Sequence, residues 1–247
     1  SAYVCVPHDL VGPAPAVFCH HQHASRFDLG KSEVVGLAGD PDQAYAHELA
    51  ERGFITIAPD AIGFEERNWS PGGASNVTWF ELSTRLVRGR TLLASCLHEI
   101  SAALDYLTSR SDVDANRIGF LGHSYGGRMA LWAPAYDPRI TASVSHCGCI
   151  PYRHSYSRDT GIQAEFVVPG FAERHDVEDV IASFRPDGTA RLRRDGRSVE
   201  PRCRGALRRR RAGARRPRRA GTVRRGSRLH RRDAGAGVPV PARSPLT

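Results

Sequence analysis

The chain is 247 residues long, enough for one large α/β domain or two small ones with a sizeable core, and a single domain is the better expectation. Its net charge of +9 suggests a polyanionic partner, but the average misleads: residues 1–184 carry 14 Lys and Arg against 22 Asp and Glu, whereas residues 185–247 carry 21 Arg, no Lys and 4 acids. The first 184 residues are therefore not a basic nucleic-acid-binding domain, and no apolar run approaches the roughly 18 residues of a membrane span.

In chain order, residues 2–6 and 15–20 are short apolar, β-prone runs bounded by Pro and Gly and are predicted strands. Pro41 to Gly53 reads as a helix, with Pro at its start, Ala44 and Leu49 on an apolar face, and Gly as its stop. Residues 54–60 (FITIAPD) follow as a buried strand. A polar loop with Trp69, Pro71, Gly72 and Gly73 leads to a long amphipathic helix from Thr91 to Ser109. RIGFLGHS (117–124) is a strand, GGRMALWAPA (126–135) a helix, ITASVSHCGCI (140–150) a strand, and the last ten residues of VVPGFAERHDVEDVIASF (167–184) a helix. This alternation predicts an α/β fold, a mostly parallel sheet with helices on both faces.

The pattern stops at Phe184. From Arg185 onward there is no Phe, Tyr, Trp, Ile or Met, and Arg, Gly, Ala and Pro make up 43 of 63 residues. Such a segment buries too little apolar surface to offset its ordering entropy, so 185–247 is expected to be a disordered tail and 1–184 an incomplete folded domain. The arginine runs lack interleaved aromatics that would stack bases, so no specific nucleic-acid partner is expected. Arg, Gly, Ala and Pro are the residues of GC-only codons, and the tail is read as an out-of-frame translation of a GC-rich gene; a genuine basic interaction tail is the alternative. The six cysteines (Cys5, Cys19, Cys96, Cys147, Cys149 and Cys203) are scattered, several inside apolar runs, and suggest reduced core thiols. With no secretory signal pattern, a cytoplasmic location is expected, although the start at Ser1 rather than Met leaves room for an upstream segment.

Chemistry concentrates at Gly122-His123-Ser124-Tyr125-Gly126. A Ser between strand and helix in G-x-S-x-G forms a sharp turn, because Gly122 and Gly126 remove the Cβ atoms that would clash, and the turn presents the Oγ of Ser124 as a nucleophile. Tyr125 offers its backbone N–H at the helix N-terminus, where a carbonyl oxygen would gain charge; one such donor contributes about 3 kcal/mol in the transition state. The loop after the strand at 15–20 should supply the second oxyanion donor, from Gln22 or His23. Three histidines within 20–23 also raise zinc, but neighbours along a strand point to opposite faces and no further ligand completes a set, so no metal is expected. In HCGC (146–149), core thiols at a strand end are preferred to a metal or redox site.

The segments HHQHASRFDLGKSEVVGLAGD, ELAERGFITIAPDAIGFEER, RIGFLGHSYGGRMAL and VPGFAERHDVEDVIASF together resemble the α/β-hydrolase fold, and within it the dienelactone hydrolase and acetyl xylan esterase-like branch. The resemblance implies a cofactor-free hydrolase of small-molecule esters or lactones, and serine at position 124 favours the esterase side. It also implies the chain order Ser, then Asp or Glu, then His, with acid and base beyond the helix near 175–184, inside the tail. Asp195, His230 and Asp233 stand there, but Asp233 follows His230 and no apolar strand holds them. Asp159, His154 and His175 are better placed on solvated loops or caps, and His123 beside the elbow packs rather than acts as the base. The expectation is an esterase whose activity is impaired for want of an acid and base. A non-catalytic scaffold with a polyanion-binding tail and a serine peptidase on the same elbow are the rivals, with the oligomeric state left open.

Overall fold

Apolar runs in five segments build one sheet, and the intervening helices cover it. In a computed structural model that describes residues 1–70, 74–157 and 161–184, the elements are β1 (Ala2–Cys5), β2 (Ala14–His20), α1 (Lys31–Val34), α2 (Tyr45–Glu51), β3 (Ile55–Pro59), α3 (Ala74–Val87), α4 (Leu92–Ser109), β4 (Val113–His123), α5 (Tyr125–Tyr136), β5 (Ile140–His146), α6 (Tyr152–Ser157) and α7 (Val177–Ser183). The tail from 185, with Asp195, His230 and Asp233, and Asp159 as well, lie outside the described residues. No described helix is long and apolar enough to cross a membrane.

The strands run β1-β3-β2-β4-β5; β1 is antiparallel to β3 and the other pairs are parallel. Period-two alternation sorts the side chains. Ala16, Phe18, Ile55, Ile57, Ile118 and Phe120 face α4 and α5, whereas Val17, Cys19 and Ala58 face α1 and α2. Phe18 and Phe120 pair across β2 and β4 with rings stacked 4.8 Å apart, a contact of about 1 kcal/mol beyond area burial. Thr91 caps α4 by accepting from the Ala94 N–H at 3.1 Å, and Leu93, Leu97, Ile100, Leu104 and Leu107 recur at helical spacing to bury its face. Asp176 and Asp179 form a capping box on α7, and Asp176 also accepts from the Tyr152 N–H, tying α6 to α7.

The structure corrects several boundaries. Residues 74–87, read as loop, form α3. Val77 and Leu82 are buried there, but Trp79 and Phe80 are exposed, and these apolar residues on the outer face blur the period. The helix expected from Pro41 is a 3-10 turn followed by α2. β4 starts at Val113, which pairs with Ala14. β5 stops at His146 because Cys147 turns into left-handed backbone at φ 56°, so Cys147 and Cys149 are exposed, not core thiols.

Candidate active site

At Ser124 the chain changes from β4 to α5 with φ 52° and ψ −105°, a conformation that costs a non-glycine residue about 1–3 kcal/mol. The Ser124 N–H donates to the His146 carbonyl at 2.8 Å, and its own carbonyl accepts from the Arg128 N–H at 2.9 Å, which pins the turn on both sides. A Cβ on Gly122 would lie 2.3 Å from the Gly126 backbone, and one on Gly126 would lie 2.0 Å from the His20 carbonyl oxygen, so both motif glycines are required by close approach. Two more glycines, passed over in the sequence, complete the packing. A Cβ on Gly127 would meet the His146 oxygen at 2.4 Å, and one on Gly148 would meet the Gly127 backbone at 2.0 Å.

Opposite the turn lies the loop after β2. Its position is set by two neutral, buried histidines. The Ala61 N–H donates to His21 Nε2 at 3.0 Å, so the ring proton sits on Nδ1 and is donated to the Gln22 carbonyl at 2.7 Å. That bond orients the Gln22–His23 peptide, whose N–H points away from its carbonyl. Burial, with His20 alongside, pushes the His21 pKa down to about 3, and burial pushes His20 down to about 4. Both His21 nitrogens are engaged by backbone partners, and His20 Nδ1 bonds the His21 carbonyl at 3.0 Å, so the pair holds the loop. Alternation in fact does not apply: β2 ends at His20, and both rings are buried 5.2 Å apart. Gln22 is fastened through its side-chain amide to Glu33 at 3.0 Å. The rings of His23 and Tyr125 are 6.2 Å apart, so loop and elbow meet.

The far end of the loop is locked by an ion cluster around the buried Lys31 and Asp60. Lys31 donates to Asp60 at 2.5 Å, to Glu65 at 2.6 Å and to Glu66, while Glu65 also accepts from the N–H groups of Gly30 and Ser32, each at 2.8 Å. Burial works against the Lys31 ammonium, yet the carboxylates around it hold its pKa above the ordinary lysine value. The three carboxylates could hold a cation, but the ammonium already occupies their centre.

Between the loop, α3 and the 3-10 turn Ala164–Phe166 opens a cleft of about 550 Å³, lined by His23, Phe27, Thr78, Trp79, Gln163 and Glu165. Among the described residues no group hydrogen-bonds Thr78 Oγ1, Gln163 Oε1 or Glu165 Oε1, although all three atoms are buried. Burial raises the Glu165 pKa, and the nearby Arg128 works the other way. None of these residues had a local signal, because the cleft is assembled from three segments, near residues 25, 78 and 164, that lie far apart in sequence. The arrangement supplies a strained backbone at Ser124, the first helix N–H at Tyr125, which has no intrahelical partner, and the loop after β2 packed beside them.

A base is a separate question. Among the described residues no histidine or carboxylate hydrogen-bonds Ser124 Oγ. His123 is half-buried and its ring contacts His146 instead, Nδ1 to Nδ1 at 3.1 Å. His154 is exposed on α6, and His175 is exposed and pairs with Asp179 at 3.5 Å.

Comparison with known proteins supports the fold. Residues 89–181, which include the elbow, match the prolyl oligopeptidase family. A Bacillus subtilis (strain 168) protein named hydrolase YtaP is 31% identical over 189 residues, 75% of this chain and 61% of that protein. A protein named carbohydrate esterase MZ0003, from an unknown prokaryotic organism, is 38% identical over 58 residues, 23% of this chain and 13% of that one. A crystal structure described as an acetyl xylan esterase from Bacteroides fragilis superposes with a TM-score of 0.62 at 17% identity, over 74% of this chain and 53% of that chain. The chain thus spans about three fifths of the first relative and about half of the superposed structure. The described residues carry the α/β-hydrolase fold, with a segment at its centre that matches the prolyl oligopeptidase family.

Proposed function

We propose that the chain is a serine hydrolase acting on carboxylic esters, with Ser124 as nucleophile and the N–H groups of Tyr125 and of Gln22 or His23 as the oxyanion hole. The observation that carries this reading is the Ser124 backbone, held at φ 52° between β4 and α5 by glycines that leave no room for a Cβ. In the reaction, Oγ adds to the ester carbonyl while the two amides stabilise the oxygen that becomes negative; the bond to the leaving oxygen breaks and that oxygen departs as the alcohol with the proton Oγ has lost, passed through water because no described residue accepts it; water then releases the acyl group as the acid and returns a proton to Oγ. Between the two loop amides, the bond from His21 to the Gln22 carbonyl favours the N–H of His23, because that bond fixes the shared peptide. The cleft beside His23 is the space in this reading for the substrate's body. The names of the relatives, among them a carbohydrate esterase and an acetyl xylan esterase, support an ester as substrate. The match of 89–181 to a peptidase family supports a second reading, cleavage of peptide bonds by the same elbow. We assign residues 1–184 to the hydrolase portion, 185–247 to a separate tail, and the protein to the cytoplasm.

With no described residue to take the Oγ proton, turnover is expected to be low. Hydrolysis of p-nitrophenyl acetate by the full chain and by Ser124→Ala tests this. Both are expected to run above water by no more than the roughly 10³–10⁴-fold that an oxyanion hole and binding supply alone, and to differ little from each other. Turnover of the parent chain many orders above Ser124→Ala would overturn the impairment, and rates equal to water for both would overturn the oxyanion hole.

A further inference from the structure

Next to the elbow, the ends of β4 and β5 bring together three side chains that the hydrolase reading does not use. The register pairs His123 with His146, which puts the two rings side by side on neighbouring strands. Ordinary alternation would send the next side chain to the opposite face. Cys147 does not follow it: its left-handed backbone, φ 56°, turns the chain at that residue, and its Sγ lies 3.9 Å from His146 Nε2.

We propose that His123, His146 and Cys147 form a binding site for a borderline or soft transition-metal ion of the zinc class. One ligand atom from each residue lies within 4.8 Å of the others. Two imidazole nitrogens bound to zinc at about 2.0–2.1 Å in a tetrahedron are roughly 3.3 Å apart, and a nitrogen and a thiolate about 3.6 Å. The two Nδ1 atoms lie 3.1 Å apart, close to the nitrogen–nitrogen edge, whereas the 3.9 Å contact of the Cys147 thiol is to the other His146 nitrogen, Nε2; one ion takes one nitrogen of a ring, so the thiol has to swing from Nε2 towards the Nδ1 edge to close the site, within a set already no wider than 4.8 Å. Two imidazoles with one thiolate select zinc, cobalt, nickel or copper over magnesium or calcium, which prefer oxygen. His146 and Cys147 are exposed and His123 is half-buried, so the ion has a path in and water can fill a fourth position. HCGC is legible in the sequence, but the exposure of Cys147 follows from its left-handed turn and the third member of the set stands 23 residues upstream, neither of which is a local signal. The site stands independently of the ester-hydrolase reading.

Cobalt(II) titration of the full, reduced, chelator-stripped chain tests the site, because a thiolate on cobalt gives a near-ultraviolet charge-transfer band and four-coordination gives intense visible bands. The parent chain is expected to show both, and zinc to displace the cobalt. Cys147→Ser is expected to abolish the charge-transfer band, and His146→Gln to weaken cobalt binding by at least the roughly 10-fold lost with a mere supporting group. Cys149→Ser is expected to keep both signals. Far-ultraviolet circular dichroism unchanged from the parent shows that each variant folds. No charge-transfer band in the parent, a band that survives Cys147→Ser, or one lost with Cys149→Ser instead would overturn the proposal.

Discussion

His20 and His21 show how single residues hold the oxyanion loop and what that does to stability. Both are buried and neutral, with pKa values pushed down to about 4 and about 3 against about 6.5 in an unfolded chain. The unfolded chain therefore binds more protons than the folded one between those limits, so their contribution is complete above about pH 6.5 and is lost as pH falls through the folded values. At about pH 5 the unfolded state gains roughly 2 kcal/mol per histidine, about 4 kcal/mol for the pair. Urea unfolding at about pH 7.5 and pH 5 should register that loss, and His21→Gln should remove about half of it. A stability equal at the two pH values would mean that the histidines are not held neutral. A similar economy governs the elbow, where Gly122, Gly126, Gly127 and Gly148 are fixed by backbone approaches of 2.0–2.4 Å rather than by turn conformation.

At the scale of elements, the described sheet ends on β5, which pairs only with β4 and leaves Val144 54% exposed. An open edge with an exposed β-branched side chain is a template for pairing between molecules. Val144→Lys is expected to slow aggregation of the full chain at unchanged circular dichroism, followed by light scattering; an unchanged rate would place the aggregating surface elsewhere. How much was legible in the sequence follows the range of each signal. The strands, α4, α5 and the elbow were readable because apolar period, an N-cap such as Thr91 and the glycines of 122–126 are all local. What stayed hidden is nonlocal. Lys31 finds Asp60 and Glu65 from 29 and 34 residues away, the cleft joins His23 to Thr78 and Glu165, and α3 carries Trp79 and Phe80 on its outer face. The left-handed turn at Cys147 gave no signal either, because a cysteine is not a residue that φ 56° favours.

For the whole molecule, the composition changes at Phe184 from a net acidic, aromatic-containing chain to one with 21 arginines in 63 residues. The frame-shift reading makes a direct prediction. Nucleotides downstream of codon 184, translated in the other two frames, should yield an apolar strand, then an Asp, and later a His; independent reads that return the present frame without such a segment in either alternative would refute it. The central claim, that position 124 is a nucleophile site regardless of what activates it, is tested most directly by a chemical probe that needs no base. Alkylation of the Ser124→Cys chain by iodoacetamide at about pH 6.5, mapped by peptide mass spectrometry, compares that thiol with free cysteine. A thiol at the N-terminus of α5 is expected to have a lowered pKa and to react at least about ten times faster than free cysteine. A rate equal to or below that of free cysteine would contradict the account.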